Sequence, residues 1–247
     1  LLDSTKFTLD YRIGFYALSP NLRLTLPGFL HYVQDCSLMH TLNTKDGMNF
    51  YDFHNLAWVI THWDVAIDRY PSAGEKLRIS TWPVRYSGFF GERGFSAMDE
   101  QNQIILRANS NWILTNRETL KPVRPTTQMA ENFGATYPLP LPRDFSMPPL
   151  PDTPPATRQY TVTRRDIDTN EHANNVRYLD WVFEDIPDEI TTNKQPNRLK
   201  VIYKKECTRG DKIQIAQQII NKPDSIEIVN QITKNNNLAC QIITNWV

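Results

Sequence analysis

No stretch of this 247-residue chain approaches the roughly 20 consecutive apolar residues that a bilayer-spanning helix requires. The opening LLDSTKFTLDYR also lacks the basic-then-apolar layout of a secretory leader, although a chain beginning on Leu1 is compatible with a leader already trimmed. Cysteine is scarce. Cys36, Cys207 and Cys240 are an odd number, widely spaced and without a CxxC, which argues against a disulfide framework or a zinc knuckle and makes a reducing cytoplasm the simplest expectation. Net charge is absent as well: 27 basic side chains balance 27 acidic ones, so the chain lacks the basic surface of a general nucleic-acid binder.

Proline is plentiful in one place. Eight of the 17 prolines lie between Pro138 and Pro155, in PLPLPRDFSMPPLPDTPP, where missing N–H donors and fixed φ angles prevent regular helix or sheet. The expected organisation is a domain over 1–137, a linker over 138–157 and a second domain over 158–247.

The flanking parts echo each other. FTLDYRIGF from Phe7 and YTVTRRDID from Tyr160 both alternate like strands. PGFLHYVQDCSLMH then sets Phe29, Val33, Cys36 and Met39 on one helical stripe, with Pro27 suited to a first turn. NNVRYLDWVFED does the same with Val176, Leu179 and Phe183, capped by Asn174 or Asn175 and stopped before Pro187. GEKLRI and GDKIQI give matching turn-and-strand signatures at Gly74 and Gly210, and the halves close on SNWI and TNWV. Strand, helix and several antiparallel strands, twice over, predict an α+β pseudo-dimer in one chain.

Function is expected where the copies differ. Before its helix the first copy runs YRIGFYALSPNLRLTLPG, with few ionisable groups, whereas the second runs TRRDIDTNEHANN. Asp166, Asp168 and Asn170 imitate the start of a calcium loop, but Glu171 stands where the turn needs Gly and Arg177 where a bidentate Glu belongs. One histidine leaves zinc short of ligands, so no metal or other cofactor is expected. Acid–base or acyl-transfer chemistry fits better: in an extended segment Asp168, Asn170 and His172 share a face, just before a helix start whose amides suit a developing oxyanion. A capped turn would use the same residue types.

DIDTNEHANNVRYLDWVFED resembles the D-x-N-x-H-V-N-N-x-K-Y segment of acyl-[acyl carrier protein] thioesterases, the plant plastid enzymes and their bacterial relatives. YKKECTRGD is similar to that family's Y-R-R-E-C segment, and NLAWVITHWDVAIDRYPSAGEKLRISTWP and RANSNWILTN resemble its first-half strands. The departures are Ala173 for Val, Arg177 for Lys, and Lys204 and Lys205 for arginines. The resemblance implies a tandem double hotdog fold, each half a long central helix wrapped by a curved antiparallel sheet. It implies hydrolysis of fatty acyl-carrier thioesters in a bacterial cytoplasm or a plastid stroma, with acyl carrier protein as partner. Carried over by position, the polar residues of the site fall on Asp168, Asn170, His172, Glu206 and Cys207.

Two mechanisms are open. Glu206, helped by His172, activates a water while Asn170 and helix amides hold the oxyanion and Asp168 orients them; or Cys207 is the nucleophile with His172 as its base. Strict alternation along LKVIYKKEC would put Cys207 and Glu206 on opposite faces and favour the second, unless the Gly210 turn has already broken the strand. Leu30, Val33 and Cys36 are candidates for lining an acyl tunnel, and Arg164, Arg165, Lys204 and Lys205 for docking an acidic carrier. A hotdog dehydratase or hydratase and a non-catalytic acyl-thioester sensor are the competing readings, and a homodimer is compatible with all of them. His31, His40, His54 and His62 read as packing residues.

Overall fold

The computed structural model describes residues 6–44, 51, 54–127, 129, 138–148 and 156–247. The chain divides into two compact units, Leu1–Asp144 and Phe145–Val247. Among the described residues each has five antiparallel strands with a helix inserted after the first.

In the first unit β1 (Phe7–Arg12) leads through a 3-10 turn (Phe15–Ala17) into α1 (Leu26–Leu42), followed by β2 (Leu56–Ile67), β3 (Lys76–Ser87), β4 (Phe90–Met98) and β5 (Ile104–Asn116). The strand order is β1-β3-β4-β5-β2, every pair antiparallel. Thr25 caps α1 by accepting from the Gly28 amide at 3.1 Å, and Pro27 occupies the first turn. Gly28 is a close-approach glycine, since a Cβ there would lie 2.9 Å from the Ala17 carbonyl oxygen. Phe29, Leu30, Val33 and Cys36 are completely buried, with Ile79 and Phe95 of the sheet among the unit's largest buried side chains. α1 packs on β1 and β3.

In the second unit β6 (Ala156–Thr161), a 3-10 turn (Arg164–Asp166), α2 (Arg177–Phe183) and α3 (Asp188–Asn193) precede β7 (Pro196–Tyr203), β8 (Lys212–Asn221), β9 (Ile226–Lys234) and β10 (Asn237–Trp246). Strand order is β6-β8-β9-β10-β7, the same as in the first unit. The two Asn-Trp phrases make the same bond: the Trp112 indole donates to Ser110 Oγ at 2.7 Å and the Trp246 indole to Thr244 Oγ1 at 2.8 Å.

Two expectations need correction. Among the described residues the long central helix is found in the first unit and not in the second. In the second, Pro187 has no N–H and disfavours helix at the residue before it, so α2 closes through the tighter bonds Asp185 N to Val182 O and Ile186 N to Phe183 O. β6 also begins at Ala156, inside the stretch expected to be linker.

The linker expected at 138–157 is described at 138–148 and 156–157. Its prolines offer carbonyls but no amide hydrogens, and donors from the sheets hold them. In the first unit the fully buried Asn109 gives its Nδ2 to the carbonyls of Leu141 (3.1 Å) and Pro142 (3.3 Å), and Trp82 donates to the Pro138 carbonyl at 3.0 Å. In the second, Gln241 donates to the Pro148 carbonyl at 3.2 Å.

His40, 5% exposed, stacks on Phe7, and its Nδ1 meets the Arg93 guanidinium at 3.0 Å. Burial, seconded by the Arg93 charge, pushes its pKa down from 6.5 to about 3. The unfolded chain therefore takes up a proton below pH 6.5 that the folded chain refuses, and stability is lost as pH falls through that window. Denaturant unfolding at successive pH values is expected to show a decline approaching about 1.4 kcal/mol per pH unit below 6.5, absent in His40→Gln.

Candidate functional site

The two units build the same loop between first strand and helix, bond for bond. Isolated bridges Leu18–Leu24 and Ile167–Ala173 close it. Ser19 N donates to Arg23 O and Asp168 N to His172 O, both at 2.8 Å; Leu22 N donates to Ser19 O at 2.9 Å and Glu171 N to Asp168 O at 3.1 Å. Leu22 and Glu171 both take left-handed φ, 59° and 63°. Behind the loop, Thr25 N donates to Ala17 O and Asn174 N to Asp166 O. In front, Leu24 N donates to Pro71 O and Ala173 N to Cys207 O, while Gly74 N and Gly210 N reach back to Ile13 O and Val162 O. The structural repeat thus sets Phe7 against Ala156, not against Tyr160 as the sequence alternation suggested.

The loop is folded back, so Asp168, Asn170 and His172 do not share the face of an extended strand. Asp168 instead forms an Asx turn, its Oδ1 accepting from the Asn170 amide at 2.8 Å, with the Asn170 side chain exposed. His172 Nε2 lies 3.0 Å from Glu206 Oε2, and the two side chains are 30% and 36% exposed, open enough for water and too open to be core. The corresponding positions in the first unit hold Arg23 and Tyr70, and there the Arg23 guanidinium donates to the Tyr70 backbone carbonyl at 3.1 Å. The same juxtaposition therefore carries an imidazole–carboxylate pair in one copy and no acid–base pair in the other.

Glu206 reaches His172 because β7 has ended at Tyr203, so alternation no longer applies at 206 and 207. Cys207 turns inward and is fully buried, and burial pushes its thiol pKa up against the lowering effect of Tyr178. Its backbone does the visible work: the carbonyl accepts from Ala173 at 2.8 Å and the amide donates to the Tyr178 hydroxyl at 3.0 Å. The helix start is also committed, with the Val176 amide on Asn174 Oδ1 and the Arg177 amide on the Asn174 carbonyl, both at 2.9 Å. Those two amides are not available to an oxyanion, contrary to expectation.

Residues not anticipated as parts of the site hold it together. Lys234 on β9 pairs with Asp211 Oδ2 at 2.6 Å and donates to the Glu206 carbonyl at 3.2 Å, fastening the loop that carries Glu206. Tyr178 and Lys234 lie far along the chain from what they hold, so no local motif could announce them. Asp166 was visible in the T-x-x-D box from Thr163, a capping signature. Arg164, Arg165, Lys204 and Lys205 are all exposed on the segments flanking the His172 and Glu206 loops. Leu30, Val33 and Cys36 are buried as packing on the sheet alone demands, with Cys36 Sγ donating to the Ile79 carbonyl at 3.5 Å and its pKa pushed up to about 12 by burial.

Fold and site together define a class: a duplicated α+β chain that keeps the scaffold twice and, at the matched loop positions, places a histidine–carboxylate pair in the second copy. The chain belongs to the acyl-ACP thioesterase family, with residues 4–133 matching the Acyl-ACP thioesterase N-terminal domain and 151–247 the C-terminal domain. It is 26% identical over 222 residues to a chloroplastic acyl-[acyl-carrier-protein] hydrolase of Cuphea viscosissima, an overlap of 84% of this chain and 53% of that one. It is 25% identical over 255 residues to a chloroplastic oleoyl-acyl carrier protein thioesterase of Arabidopsis thaliana, covering 95% and 68%. The chain spans about half the length of several curated relatives that it matches. Its fold is that of an acyl-ACP thioesterase crystal structure from Bacteroides thetaiotaomicron (TM-score 0.86, 23% identity, 98% of each chain). It is equally that of the 12:0-ACP thioesterase from Umbellularia californica (TM-score 0.89, 21% identity, 98% and 94%). Among the described residues no helix is long and apolar enough to cross a membrane.

A buried thiol with a raised pKa is a poor nucleophile toward alkylating reagents. Folded protein at pH 7.5 is expected to leave Cys207 unlabelled by iodoacetamide over hours, with labelling within minutes in denaturant, read by peptide mass spectrometry.

Proposed function

We propose that this chain hydrolyses the thioester of fatty acyl-acyl carrier protein, releasing free fatty acid, on a double hotdog fold whose second half holds the chemistry. The observation that carries the reading is the 3.0 Å contact of His172 with Glu206, made in the copy whose counterpart lacks both groups.

His172 Nε2 stands against Glu206 Oε2, which leaves Oε1 to take a proton from an attacking water. The water oxygen bonds to the thioester carbonyl carbon, and the carbonyl oxygen takes the negative charge. With the Val176 and Arg177 amides already bonded, we assign oxyanion stabilisation to the Asn170 side chain, on a turn that Asp168 fixes from within. Collapse breaks the carbon–sulfur bond, and the proton held by the pair passes to the departing thiolate. A covalent route through Cys207 is the weaker alternative, because the thiol is buried and His172 is turned to Glu206. Exposed Arg164, Arg165, Lys204 and Lys205 supply a basic rim suited to an acidic carrier.

The test is a thiol-release and fatty-acid profile assay on a mixed acyl-carrier pool. Wild type is expected to free both thiol and fatty acid. Glu206→Gln and His172→Ala should each lower kcat by about 100- to 10,000-fold. Cys207→Ala should turn over at close to the wild-type rate, and an acyl group trapped on Cys207 would replace the water route by the covalent one. Substrate altered with its thioester intact would point to a hydratase instead. Reversing the four rim charges should raise KM and weaken its salt dependence.

A further inference from the structure

The repeat supplies an internal control for every side chain around the loop, and Asp166 is where the control gives an unexpected answer. Asp166 is 3% exposed and its carboxylate accepts four bonds from three neighbouring segments. Oδ2 takes the Tyr160 hydroxyl of β6 at 2.9 Å and the Thr163 amide and hydroxyl, each at 2.7 Å; Oδ1 takes the Trp181 indole of α2 at 3.4 Å. Burial alone would raise this carboxyl, but donation from Thr163, Tyr160 and Trp181 outweighs it and holds the pKa below the ordinary carboxylate value. The group is therefore a buried anion at neutral pH.

The first unit folds the same loop without it. Ala17 stands in its place, and Ala17 O accepts from Thr25 as Asp166 O accepts from Asn174. The amide corresponding to that of Thr163 belongs to Gly14, and it is satisfied at 3.0 Å by a neutral hydroxyl, that of Tyr32, which occupies the place of Trp181. Tyr11, in the place of Tyr160, packs edge-on against Tyr32 and gives its hydroxyl to Asp35 at 2.8 Å. A neutral solution to the same backbone problem was thus available. The costlier one, a charge taken out of water, occurs only in the copy that bears His172.

We propose that Asp166 is a positioning residue for the His172–Glu206 pair. Its charge draws β6, the 3-10 turn and α2 together on the inner side of the loop, so that the His172 ring keeps its Nε2 on Glu206. It touches neither substrate nor reacting atoms. The inference rests on the hydrolase reading above for its kinetic consequence, but the geometry it asserts is testable without substrate.

The decisive variant transplants the first copy's neutral arrangement: Asp166→Ala combined with Trp181→Tyr, alongside Asp166→Asn, whose amide would face donors only. Full-length protein is assayed for acyl-carrier thioester hydrolysis and for thermal unfolding, and the His172 imidazole is followed by 15N NMR, assigned by its loss in His172→Gln. The expected result for the double variant is a cooperative transition close to wild type, KM within about twofold and kcat lower by about 10- to 100-fold, the scale of a misplaced catalytic group. The wild-type Nε2 signal of His172, set by the carboxylate 3.0 Å away, should be lost with it. A folded double variant with wild-type kcat and an intact Nε2 signal overturns the proposal, as does a rise in KM at constant kcat. Failure of the double variant to fold also overturns it, since the charge would then be a requirement of the fold. If wild type releases no thiol, the hydrolase reading fails on its own, and the NMR signal alone decides whether Asp166 positions His172.

Discussion

The contact between His172 and Glu206 joins two loops of the second unit that are remote in sequence, and the rest of the site is arranged to make that contact unavoidable. The loop of His172 is fixed to the segment of Glu206 by one backbone bond, Ala173 N to Cys207 O, one residue beyond each partner. From there the freedom left to the two side chains is small. Lys234 pulls on the Glu206 carbonyl from β9, and the Asp168 turn limits how the other loop bends. Two half-exposed, flexible side chains would otherwise hold a pairing worth little in water, so the pair depends on its backbone more than the backbone depends on it.

The duplication separates what the fold needs from what the chemistry needs. Bonds common to both copies, such as the loop bridge, the glycine turn and the bond to the residue at 71 or 207, belong to the fold. Groups found once at the matched positions, namely His172, Glu206 and Asp166, are not explained by it. The first unit keeps an asparagine at the loop position of Asn170, Asn21, whose Oδ1 accepts from the Ser19 hydroxyl and the Arg23 amide. An asparagine in this turn is therefore compatible with a purely local role, and what distinguishes Asn170 is the imidazole two residues on.

Much of this was legible in the sequence because duplication turns weak signals into paired ones. One G-x-K strand or one Asn-Trp phrase says little, but Gly74 with Gly210 and Trp112 with Trp246 mark equivalent turns and strand ends. The segment of His172 was visible as polarity present in one copy only. What failed was reasoning from period. Alternation assumes extended chain, and both decisive stretches, 168–172 and 204–207, have left it: the first for a turn with Glu171 in the left-handed region, the second because β7 stops at Tyr203. The shorter second helix follows from Pro187, whose effect the sequence does show, but the spans of Asp166, Tyr178 and Lys234 depend on three-dimensional closure.

Cys207 is held by its backbone while its side chain is buried. Its carbonyl anchors the His172 loop, a task that Pro71 performs in the first unit for Leu24. Proline could not serve in the second, because the residue there must also donate an amide to Tyr178. The side chain must be small and apolar enough to vanish into a core containing Leu199, Val201 and Cys240. A thiol meets that steric demand, and the same burial that suits it to the core pushes its pKa up. Position beside the Glu206 carboxylate is thus accounted for by two backbone bonds and a packing volume.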